Sequence, residues 1–322
     1  MHVPDGVLSP AVCAVTGAAA AGAVGLSLYK LRDSLADRTI PLTGMMASLI
    51  FAGQMVNFPL FGTVVSGHLI GGVLAAAVLG PWAGLLAIAL VLAVQCLLFA
   101  DGGLLALGAN VLNMGVAGAW GGYVVLATVR RLLGDGLRSA VAASVAAAWL
   151  SVMAAAALFC LEFRLSWASD YDFSRILTLM VTFHSAIGIG EALITGAVVS
   201  FVAVQRPDLI HVAAEGRRPI ANAGRAVLAI GVVSLAVAAF LAPFASQYAD
   251  GLDSVAQWTG FDKLSATRPL VFEDYNTLVP GWEKLSTSLA GILGVAAVLA
   301  IAFVMSRAAA LRPPAAGTGH VE

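Results

Sequence analysis

The chain has 322 residues, of which 60% are hydrophobic and 11% are charged, with a formal net charge of -1 and a mean hydropathy of +0.93. Soluble domains average about 25% charged residues, so this composition excludes a water-soluble globular protein. The balanced charge also provides no basic surface of the kind that nucleic-acid-binding proteins need.

Hydrophobic segments follow one another along the whole chain. A membrane helix needs about 20 apolar residues, and nine segments rich in Ala, Val, Leu and Gly come close to that length: 8–30, 42–62, 66–80, 82–100, 105–129, 137–161, 176–204, 225–244 and 287–306. The third segment is short, and Gly80-Pro81-Trp82 predicts a tight turn between it and the fourth. The sequence therefore predicts an all-α membrane protein with about nine transmembrane helices.

The distribution of Lys and Arg predicts how these helices are oriented. Cytoplasmic loops carry an excess of positive residues, and nine crossings assign 12 of the 17 Lys and Arg residues to one side. We therefore expect the N-terminus outside and the C-terminus inside. Asp101, Glu162 and Asp250 fall on the outer side as expected loop charges. Glu191 is expected to be the only acidic residue inside a hydrophobic segment.

A change in composition divides the chain into two modules. Residues 206–224 form a polar, basic stretch with two prolines, which we interpret as a cytoplasmic linker. It separates a seven-helix module, residues 1–205, from a two-helix accessory module, residues 225–322, with a long outer loop at 245–286.

The first two residues form a pattern that can chelate a metal ion. No basic segment precedes the first hydrophobic run, as it would in a signal peptide, so we expect Met1 to be the mature N-terminus. Its amine, the His2 backbone nitrogen and the His2 imidazole can bind one metal through fused five- and six-membered rings. This nearly planar set of nitrogens suits Ni(II) or Cu(II). An ordinary exposed terminal histidine is the alternative interpretation.

His68 is a candidate for a fourth ligand. It lies at the predicted outer end of the third segment, on the same side as the N-terminus, and nearby glycines allow close approach of backbones. A histidine at membrane depth is costly unless it has a partner or a function. His68 is therefore either a metal ligand or a hydrogen-bonded core residue.

Further polar residues inside the hydrophobic segments could support such a site. His184 and Glu191 are seven residues apart and share one face of the seventh helix, and His184, nearer the outer surface, could hydrogen-bond to a metal ligand. Asn57, in the second segment, could also hydrogen-bond to a metal ligand. Interhelical hydrogen bonds that fix packing are the alternative for all three, and they also explain the remaining amides: Gln54, Gln95, Asn110 and Asn113.

Sequence motifs of enzymes are missing from the chain. It contains no GxxxxGK[ST] nucleotide-binding loop, no HExxH and no GxSxG. We therefore expect a protein that is not an enzyme and does not itself hydrolyse ATP.

Several stretches resemble a known family, the substrate-binding membrane component (CbiM/NikM type) of energy-coupling factor transporters for cobalt and nickel. They are MHVPDGVLSP, FAGQMVNFPL, GTVVSGHLIGGVLAAAVLGPWAG, FADGGLLALGANVLNMG and HSAIGIGEALITG, within residues 1 to about 205. The later stretch FASQYADGLD is similar to the FASSxPDGLE motif of the small accessory subunit (CbiN/NikN type), with Ala249 in place of Pro and Asp253 in place of Glu.

The resemblance implies a four-nitrogen site for Ni(II) or Co(II), the transported substrate. Its ligands would be the Met1 amine, the His2 amide and imidazole, and the His68 imidazole. The resemblance also implies a bacterial or archaeal cytoplasmic membrane and separate partner chains, namely a membrane coupling subunit and two cytoplasmic ATPases. A secondary transporter that uses His184 and Glu191 remains the alternative.

Overall fold

The computed structural model describes residues 1–32, 40–167, 169–211, 223–266, 272, 275 and 278–310. Its helices are α1 (Pro10–Leu31), α2 (Ile40–Gln54), α3 (Gly72–Leu79), α4 (Pro81–Phe99), α5 (Leu107–Asn110), α6 (Gly122–Leu133), α7 (Leu137–Ser166), α8 (Phe173–Gln205), α9 (Ala223–Ala236), α10 (Gly251–Thr259) and α11 (Glu283–Ala310). A π-helical stretch, Val111–Gly121, joins α5 to α6.

The predicted all-α membrane class is confirmed. Seven helices in the described part of the chain are long and apolar enough to cross a membrane, and they correspond to seven of the nine predicted segments: Pro10–Leu31, Pro81–Phe99, Leu107–Leu133, Leu137–Ser166, Phe173–Gln205, Val227–Phe244 and Glu283–Met305. The other two segments form shorter helices, α2 with 15 residues and α3 with eight.

The second and third predicted segments differ from the structure between residues 55 and 71. Helix α2 ends at Gln54, and a two-stranded antiparallel hairpin follows, with β1 (Phe58–Pro59) paired to β2 (Ser66–Gly67). Apolar composition extends through this region, but Pro59 lacks a donor for helical hydrogen bonding, and Gly62 adopts a φ of +77° in the turn. The hairpin and the loop after it carry His68 inward to the start of α3.

Local signals explain where several helices begin. The Ser9 side chain accepts a hydrogen bond from the Val12 backbone nitrogen, and Pro10 occupies the first turn of α1, as is typical of helix N-termini. The predicted turn between α3 and α4 is confirmed, because Gly80 ends α3 with a φ of +83° and Pro81 starts α4. This turn makes α3 and α4 neighbours.

Helices from the two predicted modules pack against each other. Helix α7 packs along α8 in the first module, while α11 packs along α2 and α10 packs against α8. Gly294 of α11 faces the ring of Phe51 in α2, and its missing side chain lets the two helices approach closely. Most of the predicted linker, residues 212–222, and residues 267–271, 273–274 and 276–277 of the predicted outer loop lie outside the described residues.

Glu162, expected from the sequence in an outer loop, is instead buried within α7 at 3% exposure. The helix continues past the end of the apolar segment to Ser166, and the Asn113 amide donates a hydrogen bond to the Glu162 carboxyl group at 2.9 Å. Glu191 is therefore not the only acidic residue within a hydrophobic helix.

Candidate metal centre

Hydrogen bonds fix the N-terminal loop against α5 and the segment that precedes it. Asn110 binds both sides of Val3, accepting from its backbone nitrogen at 2.8 Å and donating to its carbonyl oxygen at 3.1 Å. The Asp5 carboxylate accepts hydrogen bonds from the backbone nitrogens of Leu105 and Ala106 at 2.7 and 3.2 Å. These bonds leave Met1 buried, at 4% exposure.

Met1 and His68 meet at this buried position. The Met1 ammonium donates to His68 Nε2 at 2.5 Å and also to the carboxylate of Asp250. His68 Nδ1 lies 2.9 Å from the Leu69 carbonyl oxygen, to which it donates its proton. This tautomer leaves a lone pair on Nε2, directed at the terminal nitrogen.

His2 lies beside His68, with the two rings stacked and their centroids 5.1 Å apart. Its Nδ1 is 3.1 Å from Asp101 Oδ1, and its Nε2 is 3.1 Å from Gln95 Oε1. Burial lowers the pKa of His2 to about 4, although Asp101 opposes this shift. His2 is therefore neutral near pH 7, the state in which imidazole binds metals.

Glu191 holds the loop that carries His68. Its two carboxylate oxygens accept hydrogen bonds from the backbone nitrogens of Ile70 and Gly71, at 2.6 and 2.8 Å. Gly71 is the residue that caps the N-terminus of α3, where the helix dipole favours a negative charge. Glu191 thus anchors the His68 loop, and both of its oxygens are engaged there.

His184 contributes to a small cavity beside the terminal amine. Its Nδ1 donates to the Met180 carbonyl oxygen at 2.9 Å, whereas its Nε2 is buried without a hydrogen-bond partner. The cavity has a volume of about 10 Å³, roughly the space of one water molecule, and is lined by Met1, Gly67, His68, Ile70, Val152, His184, Ile187 and Asp250.

Asn57 faces a second and larger cavity. This cavity has a volume of about 570 Å³, and its lining includes His2, His68 and Asp101 together with residues 242–243 and 245–250 of the predicted accessory module. The Asn57 backbone carbonyl accepts a hydrogen bond from the Ser246 backbone nitrogen at 2.8 Å. The structure thus joins Met1, His2 and His68 directly, places His184 and Asn57 at the edges of the cluster, and uses Glu191 as an anchor.

The accessory module supplies two contacts that the sequence interpretation missed. Asp250 binds the Met1 ammonium and lies 3.4 Å from His68 Nε2. Burial would raise the pKa of Asp250, but the ammonium and His68 outweigh it and hold that pKa well below its usual range. Tyr275 donates to Asp101 Oδ2 at 2.8 Å. The only sequence signal was the Asp-Gly pair of FASQYADGLD.

Backbone geometry lets the accessory module approach this closely. Asp250 caps the N-terminus of α10, accepting a hydrogen bond from the Asp253 backbone nitrogen at 2.9 Å. Gly251 packs against α8, where a Cβ atom would lie 2.7 Å from Ile187 Cδ1 and 3.1 Å from His184 Cε1. A larger residue would therefore push Asp250 away from the terminal amine.

No group of three His, Cys, Asp or Glu side chains in the described part of the chain is arranged to hold a metal. The cluster at the N-terminus is different because it combines side chains with main-chain nitrogens. A metal bound here would depend on the Met1 amine and the His2 amide as well as on imidazoles.

Comparison with solved structures gives the class of protein. The fold matches a crystal structure of a truncated transition metal transporter with a TM-score of 0.57 and 32% sequence identity, covering 64% of this chain and 99% of that one. A second crystal structure of a transition metal transporter matches with a TM-score of 0.58 and 31% identity, covering 66% and 96%. The chain is thus a multi-pass integral membrane protein with the fold of these transporters.

The chain belongs to the CbiM family, described as the cobalt uptake substrate-specific transmembrane region, whose model matches residues 2–209, and it carries a PDGLE domain at residues 224–310. It is 36% identical over 310 residues to a putative fused nickel transport protein NikMN of Archaeoglobus fulgidus, covering 95% of this chain and 98% of that protein. It is also 29% identical to the cobalt transport protein CbiM of Sorangium cellulosum, covering 65% and 94%. The resemblance identified from the sequence is confirmed.

Proposed function

We propose that this protein is the metal-capturing component of an ATP-driven energy-coupling factor importer for Ni(II), Co(II) or both. The observation that carries the proposal is the buried contact of the Met1 terminal nitrogen with His68 Nε2, at 2.5 Å, with His2 stacked alongside. These residues supply four nitrogen donors: the Met1 amine, the His2 amide and imidazole, and the His68 imidazole.

In this arrangement a proton lies where a metal would bind. Metal–nitrogen bonds are about 2.0 Å long, so adjacent nitrogens in a planar site are about 2.8 Å apart. The Met1 and His68 nitrogens therefore need to separate by only a few tenths of an ångström when a metal replaces the shared proton. In the metal-free chain the neutral His2 donates from Nδ1 to the Asp101 carboxylate, which can only accept, at 3.1 Å. Metal binding would move that proton to Nε2, beside Gln95 Oε1, and leave the Nδ1 lone pair for the metal as the ring departs from Asp101.

The donor set favours late first-row metals. Four nitrogens in a plane suit Ni(II), and the general order of affinity places Ni(II) above Co(II). The names of the relatives include both nickel and cobalt transport proteins, so the proposal includes both ions as substrates. Affinity alone does not decide which of them a cell imports.

Transport would require separate partner chains. We assign ATP hydrolysis to two cytoplasmic ATPase subunits and its mechanical coupling to a membrane subunit, because this chain lacks a nucleotide-binding motif. The substrate module would comprise residues 1–205 and the accessory module residues 225–322, joined by the linker 206–224. With the N-terminus outside a bacterial or archaeal cytoplasmic membrane, the chelate would meet the metal on the outer side.

The alternative function is a secondary transporter that binds its ion through His184 and Glu191. Midplane carboxylates of such transporters face the substrate. Here both Glu191 oxygens accept backbone hydrogen bonds at 2.6 and 2.8 Å, which favours the proposed function.

The decisive experiment compares the chain that starts at Met1 with one that carries a single additional residue before it. Both are purified, their N-termini are checked by intact mass spectrometry, and bound nickel and cobalt are measured by elemental mass spectrometry. We expect close to one metal per native chain and none in the extended chain. A His211→Gln variant, which alters a histidine outside the cluster, should bind like the native chain.

Equal metal binding by the native and extended chains would contradict the N-terminal chelate. Metal uptake into vesicles that lack the ATPases would separately favour the secondary transporter.

A further inference from the structure

A buried nitrogen of His184 lies near the proposed chelate without a hydrogen-bond partner. His184 is 1% exposed, and its Nδ1 is held by the Met180 carbonyl oxygen at 2.9 Å. That hydrogen bond fixes the proton on Nδ1 and leaves a lone pair on Nε2, which has no hydrogen-bond partner. Buried polar atoms are almost always satisfied in folded proteins, so this exception calls for an explanation.

The position of His184 suggests what the lone pair could bind. The cavity of about 10 Å³ that His184 lines also borders Met1, His68 and Asp250. Its remaining walls include Ile70, Val152 and Ile187, which belong to the interior of the bundle. His184 lies 11 residues after Phe173, the first residue of α8, about 16 Å along the helix axis at 1.5 Å per residue.

We infer that His184 is an additional nitrogen ligand, which receives the metal from the N-terminal chelate as the ion moves into the helix bundle. The inference rests on the proposed function, because it requires a metal at the chelate. It assigns to His184 direct contact with the metal during transfer, whereas the resting site keeps the four nitrogens of Met1, His2 and His68.

The chemistry of a planar site supports this order of events. All four in-plane positions are filled, so a new ligand must approach from above or below the plane before an existing ligand leaves. The neutral His184 imidazole can form this bond without losing a proton. The His184 Nε2 lone pair makes the new bond, His68 Nε2 departs with its own lone pair, and the charge of the metal does not change.

Two substitutions of matched size test the inference. His184→Leu removes the nitrogen, whereas His184→Met introduces a thioether sulfur that can bind a metal, and Leu and Met have similar volumes. His211→Gln serves as a control histidine elsewhere in the chain. Each variant is expressed with the complete transporter, and uptake of radioactive nickel is measured together with the metal content of the purified chain.

We expect His184→Leu to retain close to one metal per chain but to lose uptake by about tenfold or more, the scale seen when residues around a metal site are removed. His184→Met should recover part of the uptake rate. Uptake by His184→Leu equal to that of the native chain overturns the inference. An equal loss of uptake in the Leu and Met variants also overturns the inference, because it indicates that His184 acts only through its packing in the bundle. A native chain without metal contradicts the proposed function instead.

Discussion

Replacement of Glu191 by Gln should loosen the loop that positions His68. The carboxylate accepts two buried backbone hydrogen bonds at 2.6 and 2.8 Å, and Gln can accept only one, because its amide nitrogen is a donor. One unsatisfied buried donor costs about 1–3 kcal/mol, and loss of the negative charge at the N-terminus of α3 adds about 1 kcal/mol. We therefore expect Glu191→Gln to lower the free energy of unfolding by about 2–4 kcal/mol.

Glu162→Gln is the matched control. Glu162 is equally buried, but one of its oxygens and the Asn113 carbonyl oxygen both lack partners, so a Gln amide can donate to Asn113 while still accepting from it. We expect this change to be nearly neutral, within about 1 kcal/mol.

Thermal unfolding in detergent micelles, followed by tryptophan fluorescence, distinguishes the two variants. At about 2 °C per kcal/mol, Glu191→Gln should melt about 4–8 °C below the native chain and Glu162→Gln close to it. Nickel affinity, measured by competition with a metal-sensitive dye, should fall about 10- to 100-fold in Glu191→Gln, as it does when residues that orient ligands are removed. Equal melting temperatures, or unchanged affinity in Glu191→Gln, would refute the reasoning.

Two further perturbations test the geometry of the cluster. NMR titration of labelled His2 should give a pKa of about 4, and Asp101→Asn should lower that pKa further, since Asp101 raises it. Because this pKa lies below the unfolded value of about 6.5, His2 should reduce the free energy of unfolding as the pH falls from 6.5 to 4. A measured pKa near 6.5 would show that the ring is exposed. Asn110→Ala should weaken nickel binding about 10- to 100-fold because it releases Val3. Asn113→Ala is the control and should leave nickel binding unchanged. Similar nickel affinities of the two variants in the dye competition assay would contradict the role of Asn110.

Hydropathy predicted the helices well because burial in lipid demands long apolar segments. It failed between residues 55 and 71, where the hairpin turn at 61–64 is exposed and the following loop, 65–71, is buried among other helices, so neither part needs to be helical. The sequence around Phe58 and Val65 is as apolar as a membrane helix, so composition could not separate the two structures. Pro59 and Gly62 disfavour a helix locally, and tertiary contacts of β2, such as the hydrogen bond from the Ser66 backbone nitrogen to the Ala249 carbonyl oxygen at 2.9 Å, hold the hairpin in place.

The candidate site was predictable to the extent that it depends on ligand chemistry. Met1, His2 and His68 could be selected from the sequence because few other groups in the chain offer nitrogen donors. Asp250 could not be selected in the same way, since it lies 249 positions from Met1 and no local pattern brings the two together. Long-range charge pairing of this kind depends on how α10 packs against α8, which sequence periodicity does not encode.

The charge balance of the cluster leads to a last prediction. Without metal, the Met1 ammonium carries one positive charge, which Asp250 balances. If the proposed chelate forms, the Met1 ammonium and the His2 amide each lose a proton. The two positive charges of the metal ion and the one negative charge of the amide nitrogen then sum to one positive charge, as before. Asp250 can therefore balance either state, and the buried site exchanges metal for protons without gaining net charge, which burial would penalise.

This exchange can be counted directly. Metal binding by ligands that must be deprotonated releases protons, and the balance above requires two per metal near neutral pH, with no contribution from the already neutral His2. Calorimetric titration of nickel in buffers with different ionisation enthalpies measures that number. Release of fewer than two protons would mean that the amide or the amine does not bind the metal, and the proposed four-nitrogen site would then be wrong.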